Sequence, residues 1–425
     1  MIYFQKGSLD TVLNNHDMKK AVKEALEKIG DRKKVLIIPP DFTRYHSRAG
    51  EITSFIYEHY KEKVTDILPA LGTHTAMTDK QLEIMFRGIP KNIFRRHDWR
   101  NDVFTAGRIP KSFVENITGG IVSFDFPAQV NKMVWQGNYD LILSVGQVVP
   151  HEVIGMANYN KNLLVGTGGA EAINKSHFLG AAYGMEKIMG RADNPVRQLL
   201  NKAYDKFLSK LPVVYIHTVV GRDEKSDNLV TRGLFIGDDY SVFTKAAELS
   251  LKVNFTMLEK PLKKVVVYLN PDEFKSTWLG NKSIYRTRMA IADGGELIVI
   301  APGIKEFGED KEIDRLIRKY GYFGTRKTLE NLKQNLELHN NLSAAAHLIH
   351  GSSEGRFDII YCPGNLTEKE IKSVNYKYAC PQVMIKKYNP EKLHDGFNEV
   401  DGEEIFYISN PAIGLWAYNK RFSEQ

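Results

Sequence analysis

Two histidines and a lysine stand among glycines and small residues between positions 150 and 177. His151 comes shortly after the apolar run 141–145, while Lys161 and His177 flank the glycine-rich stretch 166–169. A strand that ends in Pro-His and opens into a glycine-punctuated loop is typical of the carboxyl edge of a parallel sheet, where open α/β folds usually bind ligands. We therefore predict that His151, Lys161 and His177 belong to a functional site.

Further polar residues follow two earlier apolar runs. Asp41 and Arg44 come after residues 34–39, and His74 comes after residues 64–70. An arginine fork matches a carboxylate in a bidentate way, which makes Arg44 a candidate anchor for an acid substrate. The equally weighted alternative is that Asp41 and Arg44 pair with each other or cap the following helix.

His74 and His151 admit a catalytic interpretation as a pair. Unperturbed histidine titrates close to neutral pH, so either imidazole can act as base or acid there. Two such groups on opposite sides of one carbon can invert a stereocentre. The alternative for any single histidine is a hydrogen-bonded structural side chain.

The elements that must position these residues alternate between strands and helices. Strand signals occur at 34–39, 64–70 and 140–145, and helical spacing predicts a helix over 17–29. A second series begins near residue 262 and continues at 296–301 and 357–361. The pattern predicts two α/β domains with mostly parallel sheets and an interdomain active-site cleft. The predicted domains are residues 1–261 and 262–408, with 409–425 packing back on the first.

Length and composition limit the function classes. The chain of 425 residues exceeds what one core usually serves, and 43% hydrophobic with 26% charged residues describes an ordinary globular protein. A formal charge of +7 with interspersed acidic residues suits small anionic ligands better than nucleic acid. Two cysteines outside any C-x-x-C pair, with no export signal and no apolar run long enough to span a membrane, predict a cytoplasmic protein.

The ordered set of motifs resembles the nickel-dependent lactate racemase family. The motifs are D-x-T-R at 41–44, G-T-H at 72–74 and P-H-E at 150–152, followed by Lys161 and then His177. The match runs along some 140 residues, and the two-domain layout is compatible with that family over nearly the whole chain.

The resemblance implies a cofactor and a role for each residue. The lysine that matches Lys161 carries a covalently bound nickel-pincer nucleotide, a pyridinium bisthiocarboxylate mononucleotide whose sulfurs and ring carbon hold the metal. His177 would complete the nickel coordination, which suits Ni(II) chemically. Asp41 would orient the cofactor or the substrate, and Arg44 would bind the substrate carboxylate.

The resemblance also implies a mechanism and partners. His74 and His151 would exchange protons with the substrate hydroxyl, while the hydrogen on the same carbon moves as hydride through a 2-keto acid intermediate. Cofactor-synthesis proteins would be transient partners, because they make the pincer. The sequence makes no prediction of oligomeric state, and it predicts neither a nucleic-acid nor a membrane partner.

Departures from the family pattern bear on the substrate. Lactate racemases carry a glycine pair before the modified lysine, whereas this chain has Asn-Tyr-Asn at 158–160. In the second domain, Arg286 replaces the family's glutamine and Met289 falls at its lysine. Extra donors must find acceptors once water is excluded, so we expect Arg286 to bind a larger, more hydroxylated acid. We predict epimerisation at C2 of an aldonic acid such as gluconate, with racemisation of lactate or another simple 2-hydroxy acid as the alternative.

Interpretations from other classes use the same residues. His74, His151 and His177 would bind zinc in a hydrolase, with Glu152 or Glu171 as general base, although no H-E-x-x-H spacing is present. A binding protein for sugar acids or nucleotides, without turnover, is a third possibility. The stretch 166–169 would form either an anion-binding loop or a plain tight turn.

Overall fold

A six-stranded sheet forms the centre of the first of two units in the computed structural model of the chain. The structure describes residues 1–223, 228–412 and 414–424. The first unit comprises Met1–Ser176 and Ile188–Asn254. The second unit comprises His177–Lys187 and the chain from Phe255 onward.

The sheet of the first unit combines four parallel strands with an antiparallel pair at one edge. Its strands, in spatial order, are Ile2–Gly7, Leu229–Gly237, Val213–Arg222, Leu141–Gln147, Val35–Ile38 and Val64–Ile67. Antiparallel pairing joins the first three strands, and the last four are mutually parallel. Two antiparallel pairs accompany the sheet, namely Val103–Ile109 with Phe126–Asn131 and Pro150–His151 with Gly155–Met156.

The helices of the first unit follow from capping and apolar spacing. Helix Asn15–Ile29 begins at a capping box in which Asn14 and Asp17 bond each other's backbone N–H groups. Its buried face carries apolar residues three and four positions apart, which pack on one side of the sheet. The other α-helices are Ala49–Tyr60, Asp79–Met85, Lys111–Thr118, Lys132–Gln136, Ala170–Tyr183, Pro195–Ala203 and Tyr240–Asn254.

Several short segments have other helical forms. The 3-10 turns are Phe42–Ser47, Lys61–Lys63 and Lys91–Ile93, and the π-helical turns are Asn162–Gly166 and Tyr204–Leu208. Helix Ala170–Tyr183 begins in the first unit and ends in the second, since the division falls between Ser176 and His177.

The second unit has its own six-stranded sheet. Its spatial order is Lys377–Tyr378, Asp358–Pro363, Ile291–Ala301, Leu262–Tyr268, Glu403–Ile408 and Gly396–Val400. All neighbours are parallel except the last pair. The helices are Met185–Ile188, Thr277–Gly280, Lys282–Tyr285, Lys311–Tyr320, Thr325–Gln334, Leu336–His339, Leu342–His350, Glu368–Ser373, Pro381–Lys387 and Asn419–Ser423.

The predicted α/β class with mostly parallel sheets is confirmed. The chain passes from the first unit to the second after Asn254, a few residues before the domain boundary predicted near residue 262. Residues 409–425 were expected on the first domain, but the described part of this segment lies in the second unit. There Trp416–Tyr418 pairs in parallel with Thr256–Leu258, so strand pairing holds it. Within the described residues, no helix is both long and apolar enough to cross a lipid bilayer.

Candidate active site

Three loops leave the same edge of the first sheet. Strand Val35–Ile38 pairs in parallel with Val64–Ile67 on one side and Leu141–Gln147 on the other, so their carboxyl ends lie together. Asp41, His74 and His151 follow these three strands. Backbone bonds continue the pairing beyond the strands, because the Ala70 N–H donates to the Pro39 carbonyl at 2.8 Å. The topology therefore brings the predicted polar loops to one edge.

Asp41 and His74 are in direct contact. His74 Nδ1 donates to Asp41 Oδ2 at 2.7 Å, while Thr43 Oγ1 donates to Asp41 Oδ1 at 2.5 Å. Burial would raise the pKa of Asp41, but the bonds from His74 and Thr43 outweigh it and hold that pKa below its usual value. The bond places the His74 proton on Nδ1, so the neutral ring presents Nε2 as an acceptor. The His74 side chain is 54% exposed, which leaves the ring accessible.

Asp41 and Arg44 neither pair with each other nor cap the following helical turn. Asp41 precedes the 3-10 turn Phe42–Ser47, but its side chain makes no capping bond there. The exposed Arg44 guanidinium contacts the Thr43 carbonyl at 3.5 Å, and no carboxylate in the described ranges forms an ion pair with it. Arg44 therefore presents its fork to solvent.

His151 lies in a short antiparallel hairpin. It ends the strand Pro150–His151, which pairs with Gly155–Met156. The Val153 N–H donates to His151 Nδ1 at 3.1 Å. Since Nδ1 accepts, the neutral ring carries its proton on Nε2. His74 and His151 thus have opposite tautomers.

Lys161 stands just before the π-helical turn Asn162–Gly166 and is half-buried. Across the described chain, its amine makes no hydrogen bond or ion pair with another side chain or carbonyl. Burial first and the charge of Arg44 second lower the pKa of Lys161 to about 8. The amine is therefore substantially neutral at mildly alkaline pH.

The Lys161 turn is joined to the His74 loop. The Gly72 N–H donates to the Gly166 carbonyl at 2.8 Å, and Gly72 has a positive φ of 56°. Asn162 ties the turn to the sheet, because its Nδ2 donates to the Ile38 carbonyl at 3.1 Å and to Ser144 Oγ at 3.0 Å. Lys161 and His74 are thus carried by loops fixed to one another.

The glycine-rich stretch serves close packing. A Cβ on Gly168 would lie 2.0 Å from the Leu164 carbonyl oxygen, and one on Gly169 would lie 2.5 Å from Gln129 Oε1. His97 donates from Nε2 to the Gly168 carbonyl at 3.0 Å, and Asn131 donates to His97 Nδ1. This arrangement favours the tight-turn interpretation over an anion-binding loop.

The segment before Lys161 contains a feature that sequence reasoning missed. Asn158 and Tyr159 have φ values of 68° and 58°, so two consecutive non-glycine residues adopt the left-handed conformation. The buried Arg197 bonds the segment: Nη2 donates to the Met156 carbonyl and Nη1 to Asn160 Oδ1, both at 2.6 Å. The one sequence signal was the replacement of a glycine pair by bulkier residues.

The remaining predicted residues are His177, Arg286 and Glu171. His177 and Arg286 belong to the second unit, with His177 on helix Ala170–Tyr183 and Arg286 directly after helix Lys282–Tyr285. Glu171 pairs with Arg108 and Lys175, and the bond from Arg108 is the main reason that the pKa of Glu171 falls to about 2. Such a carboxylate is a weak base. No group of three histidine, cysteine, aspartate or glutamate side chains suited to a metal occurs among the residues with described positions.

Comparisons with known proteins find one matching family model and similar solved structures. Residues 5–188 match the family model described as the lactate racemase N-terminal domain. A crystal structure of a Thermotoga maritima protein matches with a TM-score of 0.78 and 25% identity, over 98% of this chain and 100% of that one. The lactate racemase apoprotein from Thermoanaerobacterium thermosaccharolyticum matches with a TM-score of 0.68 and 16% identity, over 97% and 94% of the two chains. No curated protein matches the chain in sequence.

Proposed function

We propose that the protein is a racemase or epimerase that inverts the hydroxyl-bearing C2 of a 2-hydroxy acid, because residues 5–188 match the lactate racemase N-terminal domain. The observation that carries this proposal is the partnerless, half-buried Lys161 amine in a loop fixed to the Asp41–His74 pair. An amine so placed suits covalent attachment of a cofactor better than a structural ion pair does.

The residues present fit a nickel-pincer nucleotide. Lys161 offers an amine with a lowered pKa, and among the described residues no carboxylate forms an ion pair with it. Lys161 would hold the cofactor covalently, His177 would supply the imidazole ligand to nickel, and Asp41 would act through His74. When bound, the cofactor would supply the acceptor for the C2 hydrogen.

The two histidines have tautomers suited to opposite tasks. His74 offers a bare Nε2 that can take the substrate hydroxyl proton, and its Nδ1–H is fixed by Asp41. His151 presents Nε2–H as a hydrogen-bond donor, because Nδ1 accepts from the Val153 backbone. To return a proton to the substrate oxygen, His151 would act from its imidazolium form, which becomes the neutral ring on donation. One proton removed at one histidine and one returned at the other would accompany inversion, after which the two roles exchange for the reverse direction.

Charge supports an acidic substrate. Arg44 is exposed and would bind the substrate carboxylate through its guanidinium fork. Arg286 would bind additional hydroxyl groups, and this favours an aldonic acid such as gluconate over lactate. Lactate or another short 2-hydroxy acid is the alternative substrate.

The zinc-hydrolase interpretation receives less support. Glu171, one of its two candidate bases, is committed to Arg108 and Lys175. The part of the chain that the structure describes offers no three-ligand metal group. A protein that binds sugar acids without turnover would leave the lowered pKa of Lys161 without a use.

The proposal is tested by coexpressing the chain with the enzymes that synthesise the pincer nucleotide. We expect the Lys161 peptide to carry the cofactor mass, about one nickel per chain by metal analysis, and inversion of C2 in a panel of 2-hydroxy acids followed by chiral chromatography. Lys161→Arg keeps the charge and should lose both adduct and inversion. Unmodified Lys161, in a host where a known lactate racemase is loaded, would refute the proposal, and turnover of short monoacids only would refute the sugar-acid part.

A further inference from the structure

The backbone immediately before Lys161 is held in a conformation that it would not adopt unaided. Asn158 and Tyr159 both have positive φ, and Tyr159 is a bulky residue for which this is a true outlier. Both residues are buried, at 6% and 7% exposure. Strain of this kind persists only where surrounding contacts impose it.

The ring of Tyr159 supplies one of these contacts. It stacks on Phe243 with centroids 5.3 Å apart and lies 4.4 Å from the ring of Tyr215. Tyr240 meets it edge-on at 5.5 Å. These contacts fix the position of the Tyr159 ring. They do not by themselves determine the backbone conformation of the residues that follow.

Arg197 supplies the contacts that define this path. It is fully buried on helix Pro195–Ala203 and packs its guanidinium 4.4 Å over the Phe243 ring. Nη2 donates to the Met156 carbonyl, and Nη1 donates to the Asn158 carbonyl at 3.3 Å and to Asn160 Oδ1. Among the residues described by the structure, no carboxylate pairs with this cation. Every hydrogen bond that Arg197 makes from its terminal nitrogens goes to the segment 156–160, which ends one residue before Lys161.

We propose that Arg197 is a positioning residue for Lys161. Arg197 clamps the left-handed turn at Asn158–Tyr159 and so determines the position of the Lys161 amine. The inference deepens the proposed function and rests on it for the importance of Lys161. Burying an unpaired guanidinium is costly, and a clamp on the cofactor-bearing loop gives that burial a function.

The groups that act electrostatically on Lys161 are known. Beyond burial, the charges of Arg44 and Arg197 lower its pKa, whereas those of Glu152 and Asp41 raise it. Loss of the clamp would let the amine move toward solvent, and its pKa would rise toward the ordinary lysine value. Arg197→Lys retains the positive charge but loses the two-pronged donor geometry, so it isolates positioning from charge.

The experiment is pH-dependent labelling of the cofactor-free chain with trace acetic anhydride, quantified at the Lys161 peptide by mass spectrometry against exposed Lys20. We expect a labelling midpoint near pH 8 in the wild type and a midpoint higher by about one pH unit or more in Arg197→Lys. Arg232→Lys is the matched control, because Arg232 is also buried in the first unit but bonds Asp223 and the Thr11 carbonyl. Its midpoint should equal that of the wild type.

Two further variants complete the test. Asn158→Gly in the Arg197→Lys background lowers the cost of the left-handed backbone at one of its two positions, so the midpoint should return part of the way toward the wild-type value. If Arg197→Lys does not fold, Asn160→Ala removes a single Arg197 contact and should raise the midpoint by a smaller amount. An unchanged midpoint in the folded variants, an equal shift in Arg232→Lys, or no reversal by Asn158→Gly would each overturn the inference.

The labelling result is independent of the cofactor. Absence of an adduct on wild-type Lys161 after coexpression with the synthesis enzymes would refute the proposed function while the labelling midpoints still report on the clamp. Conversely, if wild-type Lys161 carries the adduct after coexpression but the midpoint of the cofactor-free chain is the same in wild type and Arg197→Lys, only the clamp is refuted.

Discussion

At the scale of single residues, the chemistry of the site depends on which nitrogen of each histidine is occupied. His74 Nδ1 donates a hydrogen bond to Asp41, whereas His151 Nδ1 accepts one from the Val153 N–H. One ring is therefore left as an acceptor and the other as a donor. The residue types and their order along the chain predicted a pair of histidines, but not their opposite tautomers, because a tautomer depends on a partner distant in sequence.

Asp41→Asn should lower the turnover of the cofactor-loaded enzyme by about 10²- to 10⁴-fold. An amide in place of the carboxylate can donate to His74 Nδ1, which moves the ring proton to Nε2 and removes the base. The measurement is kcat for C2 inversion together with ¹⁵N NMR of the His74 tautomer.

Asp31→Asn is the control for this change, since Asp31 is an exposed aspartate that pairs with Lys63 at the surface. Turnover in Asp41→Asn within threefold of wild type, with the tautomer unmoved, would contradict the role of Asp41.

At the scale of elements, the site depends on short connections whose geometry tolerates little change. Hairpin 150–156 presents His151, and its returning strand begins at Gly155, where φ is 79°. A Cβ at Gly155 would lie 2.0 Å from the Arg191 carbonyl oxygen. Helix and strand periodicity located the neighbouring strand 141–145 correctly, but it gave no information on this close approach.

Gly155→Ala should destabilise the first unit by about 3 kcal/mol, through overpacking and left-handed strain together. Hydrogen exchange of peptides covering strand Leu141–Gln147 measures the loss in the free energy of opening. Gly119→Ala is the matched control, because Gly119 also has a positive φ, of 62°, but a Cβ added there would meet no atom within 4 Å.

We expect the control to cost about 1 kcal/mol, the backbone term alone. An equal loss in the free energy of opening in the two variants would show that the contact with the Arg191 carbonyl does not contribute to the effect of Gly155→Ala.

At the scale of the whole molecule, the chain enters the second unit twice, and the order of residues along the sequence did not predict this. Residues 177–187 belong to the second unit although the residues on both sides belong to the first. Glu186 explains this assignment, since it accepts from Arg288 Nε at 2.9 Å and from Arg356 Nη2 at 2.7 Å. Arg288 and Glu186 are 4% and 13% exposed, so the pair is largely desolvated.

Glu186→Gln should destabilise the second unit by about 3 kcal/mol or more, because it leaves the buried Arg288 charge without a counter-charge. Hydrogen exchange is the appropriate measurement, as a two-unit chain need not unfold in one step. Protection should fall in peptides covering 177–187 and 285–301.

Protection of strand Val213–Arg222 in the first unit should remain unchanged. The control is Glu368→Gln, which breaks only the exposed pair with Lys372 and should cost less than about 0.5 kcal/mol. Uniform loss of protection in both units would contradict this account.

The sequence by itself determined the fold class, the strands that carry the site and the candidate residues at their ends. These follow from local apolar periodicity and from the rule that parallel strands end at one edge, which is why Asp41, His74 and His151 could be identified together. Only the tertiary structure decided that Asp41 bonds His74 and not Arg44, that Arg197 bonds the segment before Lys161, and that Glu186 bonds Arg288 within the second unit. Each of these contacts joins residues tens to hundreds of positions apart or depends on burial, and neither spacing nor residue type specifies which distant partner a buried charge will find.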